Sequence, residues 1–319
     1  MQSQNDILVS VVCNAYNHGN YIRDALEGFV SQKTDFKFEV LVHDDASTDN
    51  TADIIREYEA KYPDIIKPIY QTENQYSKGI RPAKVYQYPR AKGKYIALCE
   101  GDDYWTDELK LQKQVEALSS HPEIDICTHS TKVIWADTGK LCRYISPANE
   151  NTVISTEKVI YGEGDFVATN SILAKREVFT QPLRFRQAFT YDYTLQIQGS
   201  LNGGMLFLDD CMSVYRFMSV GSWSSKMAKS KDSRENFHQK KQQMLDILNE
   251  ETNGKFNAVI ERRKLKNELL HLEEQDEFDN LLSKKYRSVF KELPLKRRLK
   301  IRIKSYLPFM VEIIRKIKR

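Results

Sequence analysis

Two clusters of carboxylates carry the chemistry that is readable in this chain. One is His43-Asp44-Asp45-Ala46-Ser47-Thr48-Asp49 and the other is Glu100-Gly101-Asp102-Asp103-Tyr104-Trp105. Each directly follows a short apolar run, Phe38–Val42 and Tyr95–Cys99. Close like charges repel, so carboxylates gather where a cation or hydrogen-bond donors hold them. Asp44 or Asp45 suits a nucleobase N–H or a ribose hydroxyl. Ser47 or Asp49 reads instead as the cap of a helix starting near Asn50. Glu100 and Asp102 stand two apart, with Gly101 allowing close backbone approach. That pair suits a hard divalent cation, Mg²⁺ or Mn²⁺, carrying a diphosphate. A solvated turn is the plain alternative.

The elements that must position these groups follow from periodicity. Ile7–Val12, Phe38–Val42, Ile65–Tyr70 and Tyr95–Cys99 are short, β-rich apolar runs. Between them, Tyr21–Gln32 and Asp49–Tyr62 place apolar residues at helical spacing, and Leu109–Ser119 continues the pattern. Strand–helix repeats of this length predict parallel βαβ units, whose ligands bind beyond the carboxyl ends of the strands. The first run ends in Asn14-Ala15-Tyr16-Asn17, which joins the two acidic clusters at that edge. Beyond residue 120 the pattern is less regular, with strand-like runs at Ile124–Thr128, Ser171–Ala174, Met205–Leu208 and Met212–Tyr215. From Ser230 to Lys291 it is helical and charged, until Pro294 breaks it.

Composition removes other classes. The chain has 319 residues, 41% hydrophobic and 11% aromatic, enough for a sizeable core. No uncharged apolar run approaches the roughly 18 residues of a membrane span, and MQSQNDILVSVV is not a secretory leader. Five cysteines without CxxC spacing read as reduced thiols, which predicts a cytoplasmic location. The net charge of +4 hides an asymmetry. Residues 296–319 hold ten Lys/Arg against one acid, Glu312, so this stretch carries +9 and the remainder −5.

The ordered set Val9-Ser10-Val11-Val12…Tyr16-Asn17, Val42…Asp44-Asp45-Ala46-Ser47-Thr48-Asp49, and Lys92-Gly93-Lys94-Tyr95-Ile96-Ala97…Glu100-Gly101-Asp102-Asp103-Tyr104-Trp105 resembles family 2 glycosyltransferases. The resemblance covers residues 7–225. It implies an α/β GT-A fold, Rossmann-like with a mostly parallel sheet, over 1–225, and a helical extension over 226–319. It also implies an inverting transferase that uses a nucleotide-sugar donor. In that pattern Ala15, Tyr16, Asn17, Asp44 and Asp45 line the nucleotide, with Asp45 matching the carboxylate that bonds the base. Glu100-x-Asp102 stands at the D-x-D position, with Asp102 the metal ligand and Glu100 where Asp is usual. Gly101 and Asp103 complete the donor turn, and Lys84 falls where a phosphate-contacting Arg is common. Asp192, in Tyr191-Asp192-Tyr193-Thr194-Leu195, occupies the place of the general base, although a plain helix cap also fits it. The stretch Gly162–Phe166 with Asn170 and Ser171 falls on the acceptor side. No QxxRW sequence is present, which implies single-sugar transfer.

The resemblance makes the acceptor a glycan or a lipid-linked saccharide in cell-surface polysaccharide synthesis. The basic, apolar-interleaved stretch 295–319 then suits peripheral contact with an anionic membrane, or packing on the body or a second copy. Residues 230–291 are expected to form exposed helices suited to a homo-oligomer. Nucleic acid is excluded as a partner by the acidic body and the lack of a base-reading module. A sugar-1-phosphate nucleotidyltransferase would need a basic Gly-rich loop after the first strand, and Asn14–Asn20 has neither Lys nor Arg. A non-catalytic nucleotide-sugar-binding or scaffold protein is the remaining alternative.

Overall fold

In this computed structural model, residues 6–219 and 231–306 are described. The chain divides into two compact units, 1–230 and 231–319. The division expected at 225/226 falls outside the described residues, as does Trp223.

The first unit is built on β1 (Ile7–Ala15), whose middle is buried on both faces. A strand covered on both sides must be apolar throughout, which is why ILVSVV carries no alternation. It pairs in parallel with β2 (Lys37–Asp44) and β4 (Tyr95–Leu98), and β2 pairs in parallel with β3 (Ile66–Tyr70). Helix α1 (Ile22–Val30) buries Ile22, Ala25, Leu26 and Phe29 against this sheet, and α2 (Thr51–Lys61) buries Ile54, Ile55 and Tyr58. These side chains form one core with Val9, Val11, Val40 and Val42.

The remaining strands are β5 (Tyr104–Trp105), β6 (Ile126–Trp135), β7 (Leu141–Ile145), β8 (Thr152–Ile154), β9 (Leu173–Lys175) and β10 (Met205–Phe217). The sheet order is β3-β2-β1-β4-β9-β6-β10-β5, with β7 on β6 and β8 on β10. Helices α3 (Lys110–Ser120), α4 (Thr156–Gly162), α5 (Arg176–Thr180), α6 (Arg184–Ala188) and α7 (Asp192–Ser200) belong to this unit. β9 runs antiparallel to both neighbours and so reverses the chain beside β4. The two runs expected at 205–208 and 212–215 are one strand. Its register against β6 shifts around Cys211, where Asp209, Asp210 and Cys211 are exposed. A polar bulge interrupts the hydrophobic pattern without interrupting the pairing.

The stretch between β3 and β4 is not a free loop. Gln87 is fully buried and donates to the carbonyls of Cys13 (3.1 Å) and Leu41 (2.9 Å), which fastens this segment beneath the ends of β1 and β2.

The second unit contains α8 (Lys231–Glu251), α9 (Asn257–Glu274), α10 (Phe278–Leu281), α11 (Arg287–Phe290) and α12 (Leu295–Tyr306). Leu269, Leu281, Val289, Phe290, Leu293 and Ile301 make its core. No helix among the described residues is long and apolar enough to cross a membrane.

Candidate active site

The register of the parallel strands brings three strand ends to one place. Ala15 stands opposite Asp44, and Val12 opposite Leu98. Past the pairing, Asp45 N donates to Ala15 O (2.9 Å) and Gly101 N to Asn14 O (2.9 Å), so the loops stay laced together. A Cβ on Gly101 would lie 2.8 Å from Ile22 Cδ1 and 2.9 Å from His18 Nδ1. Only glycine lets the turn sit this close, so Gly101 is a packing requirement at the site.

At the β1–β2 side, Asn17 and Ala46 both adopt left-handed backbone, at φ 55° and 62°. The Asn17 side-chain oxygen Oδ1 accepts from Thr48 N (2.8 Å), and Ser47 Oγ accepts from Asn17 N (2.9 Å). These two bonds hold both strained turns. Asp49 accepts from Thr51 N at the start of α2 (3.0 Å) and from Gly19 N (2.9 Å). Asp44 and Asp45 are free of that task. Asp45 is buried and takes the backbone N–H groups of Gln75 (2.8 Å) and Tyr76 (3.0 Å). Asp44 accepts from Ser47 N (3.3 Å) through one oxygen, while its other oxygen, Oδ1, is buried without a partner. Burial raises the Asp44 carboxyl above its usual range against the Ser47 hydrogen bond. His43 Nδ1 and Asn14 Oδ1 are likewise buried and unpartnered. Unmade hydrogen bonds of this kind cost about 1–3 kcal/mol each. Their concentration at one strand edge marks a place shaped for a polar ligand. Tyr16 stands exposed beside it.

At the end of β4, three neighbouring carboxylates have three different settings. Glu100 Oε1 accepts from Asn14 Nδ2 (3.3 Å). Burial, then Asp102, then Asp192 push its pKa up to about 8. Asp102 accepts the Ser219 hydroxyl (2.5 Å). Asp103 turns inward, almost fully buried, taking Arg216 N (2.8 Å) and Asn170 Nδ2 (3.2 Å). Burial, then Asp102, raise its pKa well above the carboxylate range. Asp103 therefore acts on the donor turn from below, and Asn170 shares its setting. Asn170 is fully buried, also donates to Val214 O (3.0 Å), and accepts from Ser213. Ser171 is buried too, with its hydroxyl on Ala168 O (2.7 Å).

Asp192 is the first residue of α7, and its carboxyl accepts the Thr169 hydroxyl. The helix start is closed by Thr194 Oγ1, which faces Tyr191 N (3.5 Å). Asp192 keeps solvent access at its mouth while protein packed around the carboxyl raises its pKa, opposed by Thr169, Arg186 and Arg81. Thr169, which holds Asp192, directly precedes Asn170, which holds Asp103, so the α7 carboxylate and the 100–105 turn are joined through one short segment. Lys84 is exposed on the single wide, π-helical turn Ala83–Gln87. Arg81, lying over the rings of Tyr76 and Tyr191 (5.5 Å each), is a cation that Asp192 feels.

His18, Arg81 and Arg216 carry geometry at this edge that sequence reasoning did not single out. The Arg216 guanidinium donates to Asp102 O (2.9 Å) and to Asp24, and stacks on Tyr104 (4.4 Å) and Tyr21 (5.1 Å). Its position at the end of β10, more than a hundred residues from the donor turn, leaves no local signal.

Among the described residues no group of three or more His, Cys, Asp or Glu is arranged as a metal cage. Glu100 and Asp102 still fit a divalent cation of the kind that takes one or two protein carboxylates and completes its shell with substrate phosphate and water. The chemistry of the donor set favours it: two hard carboxylates stand two residues apart after β4, and the rise that burial and then Asp102 impose on Glu100 is a cost a cation would offset.

Residues 10–222 match the family model for glycosyl transferase family 2. The chain belongs to that family. A family 2 reading covers the whole α/β unit, the donor turn and Asp192 alike. An uncharacterised protein of Mycobacterium tuberculosis is 38% identical over 217 residues, covering 68% of this chain and 61% of its own length. The chain thus spans about three-fifths of that relative. A putative teichuronic acid biosynthesis glycosyltransferase, TuaG of Bacillus subtilis, is 38% identical over 109 residues, covering 34% of this chain and 41% of TuaG. Among solved structures, TarS from S. aureus in complex with UDP-GlcNAc superposes with a TM-score of 0.64 at 17% identity, covering 90% of this chain and 80% of that one. That likeness identifies the fold as GT-A.

Proposed function

We propose that this family 2 chain transfers one sugar, with inversion, from a nucleotide-diphospho-sugar to a hydroxyl of a glycan or lipid-linked saccharide in cell-surface polysaccharide synthesis. One observation carries the reading: Thr169 donates to Asp192 while the next residue, Asn170, donates to Asp103, so the candidate base and the acidic turn after β4 are tied to one short segment. The relationship to TuaG supports polysaccharide synthesis as the setting, and the TarS complex with UDP-GlcNAc supports a UDP-sugar as donor.

The chain's own residues supply the steps. The buried, unpartnered Asp44 Oδ1 accepts an N–H or hydroxyl group of the nucleoside, with the Asp45 carboxylate, fixed by the Gln75 and Tyr76 N–H groups, beside it. Glu100 and Asp102 would hold a divalent cation, which would supply positive charge to the departing diphosphate. Asp192 takes the proton of the acceptor hydroxyl as its oxygen attacks the anomeric carbon. The new C–O bond forms as the bond to phosphate breaks on the opposite face, and the nucleoside diphosphate leaves with the electron pair. Thr169 fixes the orientation of Asp192 and, with Arg186 and Arg81, opposes the rise that burial imposes on its carboxyl. Asp103, Asn170 and Arg216 hold the donor turn rigid from beneath.

The test is a panel of UDP-, GDP- and dTDP-sugars with Mn²⁺ or Mg²⁺, read as released nucleoside diphosphate. Asp102→Asn and Asp192→Asn are run beside the native chain. One donor should turn over with cation and fail in both variants. Donor turnover that survives Asp192→Asn unchanged removes that residue from the mechanism. Donor binding without turnover, with acceptors supplied, favours a binding or scaffold role.

A further inference from the structure

We infer that α12 is an interfacial helix that docks this chain on an anionic lipid surface. The inference concerns the second unit and does not depend on the transfer reaction.

Its sequence, LKRRLKIRIKSY, contains no acidic residue. One side is fully engaged within the helical unit. Arg297 pairs with Glu273 (2.8 Å), Lys304 with Asp276 (3.2 Å), and Ser305 donates to Asp279 (2.8 Å). Ile301 lies between these contacts, fully buried in the unit's core. The opposite side is built the other way. Leu295, Leu299 and Ile303 recur every four residues and so lie in one row along the helix. They are 62%, 48% and 48% exposed, and Tyr306, 73% exposed, continues the row. Four residues per step is close to one helical turn, which places Lys296 and Lys300 along one flank and Arg298 and Arg302 along the other. Among the described residues Lys296, Lys300 and Arg302 form no salt bridge, although the Arg302 guanidinium also lies 5.8 Å over the Phe290 ring, and Arg298 is half-buried.

An aliphatic row flanked on both sides by cations is the geometry of a helix lying in the plane of a bilayer interface. The row enters the acyl boundary while the long basic side chains reach up to the headgroups. Charge decides between occupants. A second copy seated on the same face would bring these cations against their own equivalents, which costs several kcal/mol. Nucleic acid phosphates would satisfy the flanks and leave the aliphatic row in contact with a polar backbone. An anionic lipid surface satisfies both, with each nearby Lys or Arg adding about 1 kcal/mol of attraction.

The experiment uses the full chain and vesicles of phosphatidylcholine alone or with about 30% phosphatidylglycerol, read by co-sedimentation at low and high salt. The native chain should bind the anionic vesicles at least about tenfold more strongly than the neutral ones, and lose most of that binding in high salt. Leu299→Glu/Ile303→Glu should reduce anionic-vesicle binding at least about tenfold with an unchanged circular dichroism spectrum and melting curve. Lys296→Gln/Lys300→Gln/Arg302→Gln, which leaves the aliphatic row intact, should reduce it comparably and flatten the salt dependence. Failure of the native chain to bind anionic vesicles overturns the inference, as does undiminished binding by both variants. A native dimer that Leu299→Glu/Ile303→Glu converts to monomer, with vesicle binding unaffected, assigns the face to a second copy instead.

Discussion

Replacing Glu100 by Gln should make the cation-free protein more stable while weakening its chemistry. Burial, then Asp102, then Asp192 hold the Glu100 pKa at about 8 instead of the ordinary 4.5. At pH 7 an unfolded chain releases that proton freely and the folded chain does not. Folding therefore binds a proton, and stability falls as pH rises from 4.5 towards 8. Each pKa unit is worth about 1.4 kcal/mol, and pH 7 lies about 2.5 units above the unfolded value, which sets a ceiling of about 3.5 kcal/mol. Water in the open cleft screens part of that, leaving about 1–2 kcal/mol. Glutamine keeps the oxygen that accepts from Asn14 and removes the charge. In chelator, Glu100→Gln should raise the melting temperature by about 2–8 °C at pH 7–8. The gain should shrink to nearly nothing at pH 4.5, and with Mn²⁺ and UDP present the native chain should gain more than the variant. A melting difference that stays flat from pH 4.5 to 8 would refute the crowding of these carboxylates.

Three further outcomes follow from the same geometry. Asp192→Asn should lower transfer by about 10²–10⁴-fold with donor affinity retained. Because burial raises the Asp192 carboxyl, the native chain's activity should fall away on the acid side at a higher pH than an ordinary aspartate would give, as a kcat–pH profile would show. Lys110 is fully buried over the Trp105 ring, with a pKa lowered to about 7 from 10.5, so its charging penalty is complete below pH 7 and vanishes as pH rises to 10.5. Lys110→Met should therefore stabilise the fold by about 1–3 kcal/mol at pH 6 in denaturant melts, after the lost bond to Gln114, and stabilise it less or not at all at pH 10. Arg216→Met should weaken cation-dependent donor affinity as well as stability, since the guanidinium fixes the Asp102 backbone. Arg216→Lys, which keeps the charge but loses the planar fork, should rescue stability better than it rescues affinity.

What could be read without coordinates was whatever lay close in sequence to a strand end. The apolar runs predicted β1, β2, β3 and β4 to within a few residues, because parallel central strands must be apolar on both faces. Polar residues just after them then had to share one edge. Long-range work left no such trace. Gln87 looks like any loop glutamine until its amide is seen on the carbonyls of Cys13 and Leu41. Asp103 reads like its neighbour Asp102, yet one residue of rotation along the turn points it into the core, towards Asn170 and Arg216. Thr169 and Arg81 meet Asp192 only through tertiary packing. The aliphatic row of α12 was visible as mixed basic and apolar composition, but which side faced solvent depended on where Glu273, Asp276 and Ile301 packed.

The most direct measurement of the central claim is a calorimetric titration of UDP into the protein with Mn²⁺, in chelator, and against Asp102→Asn. The account predicts binding in Mn²⁺, with at least about a tenfold loss both in chelator and in the variant. Absence of binding by UDP, GDP and dTDP alike under either cation would contradict a nucleotide-sugar site at this sheet edge.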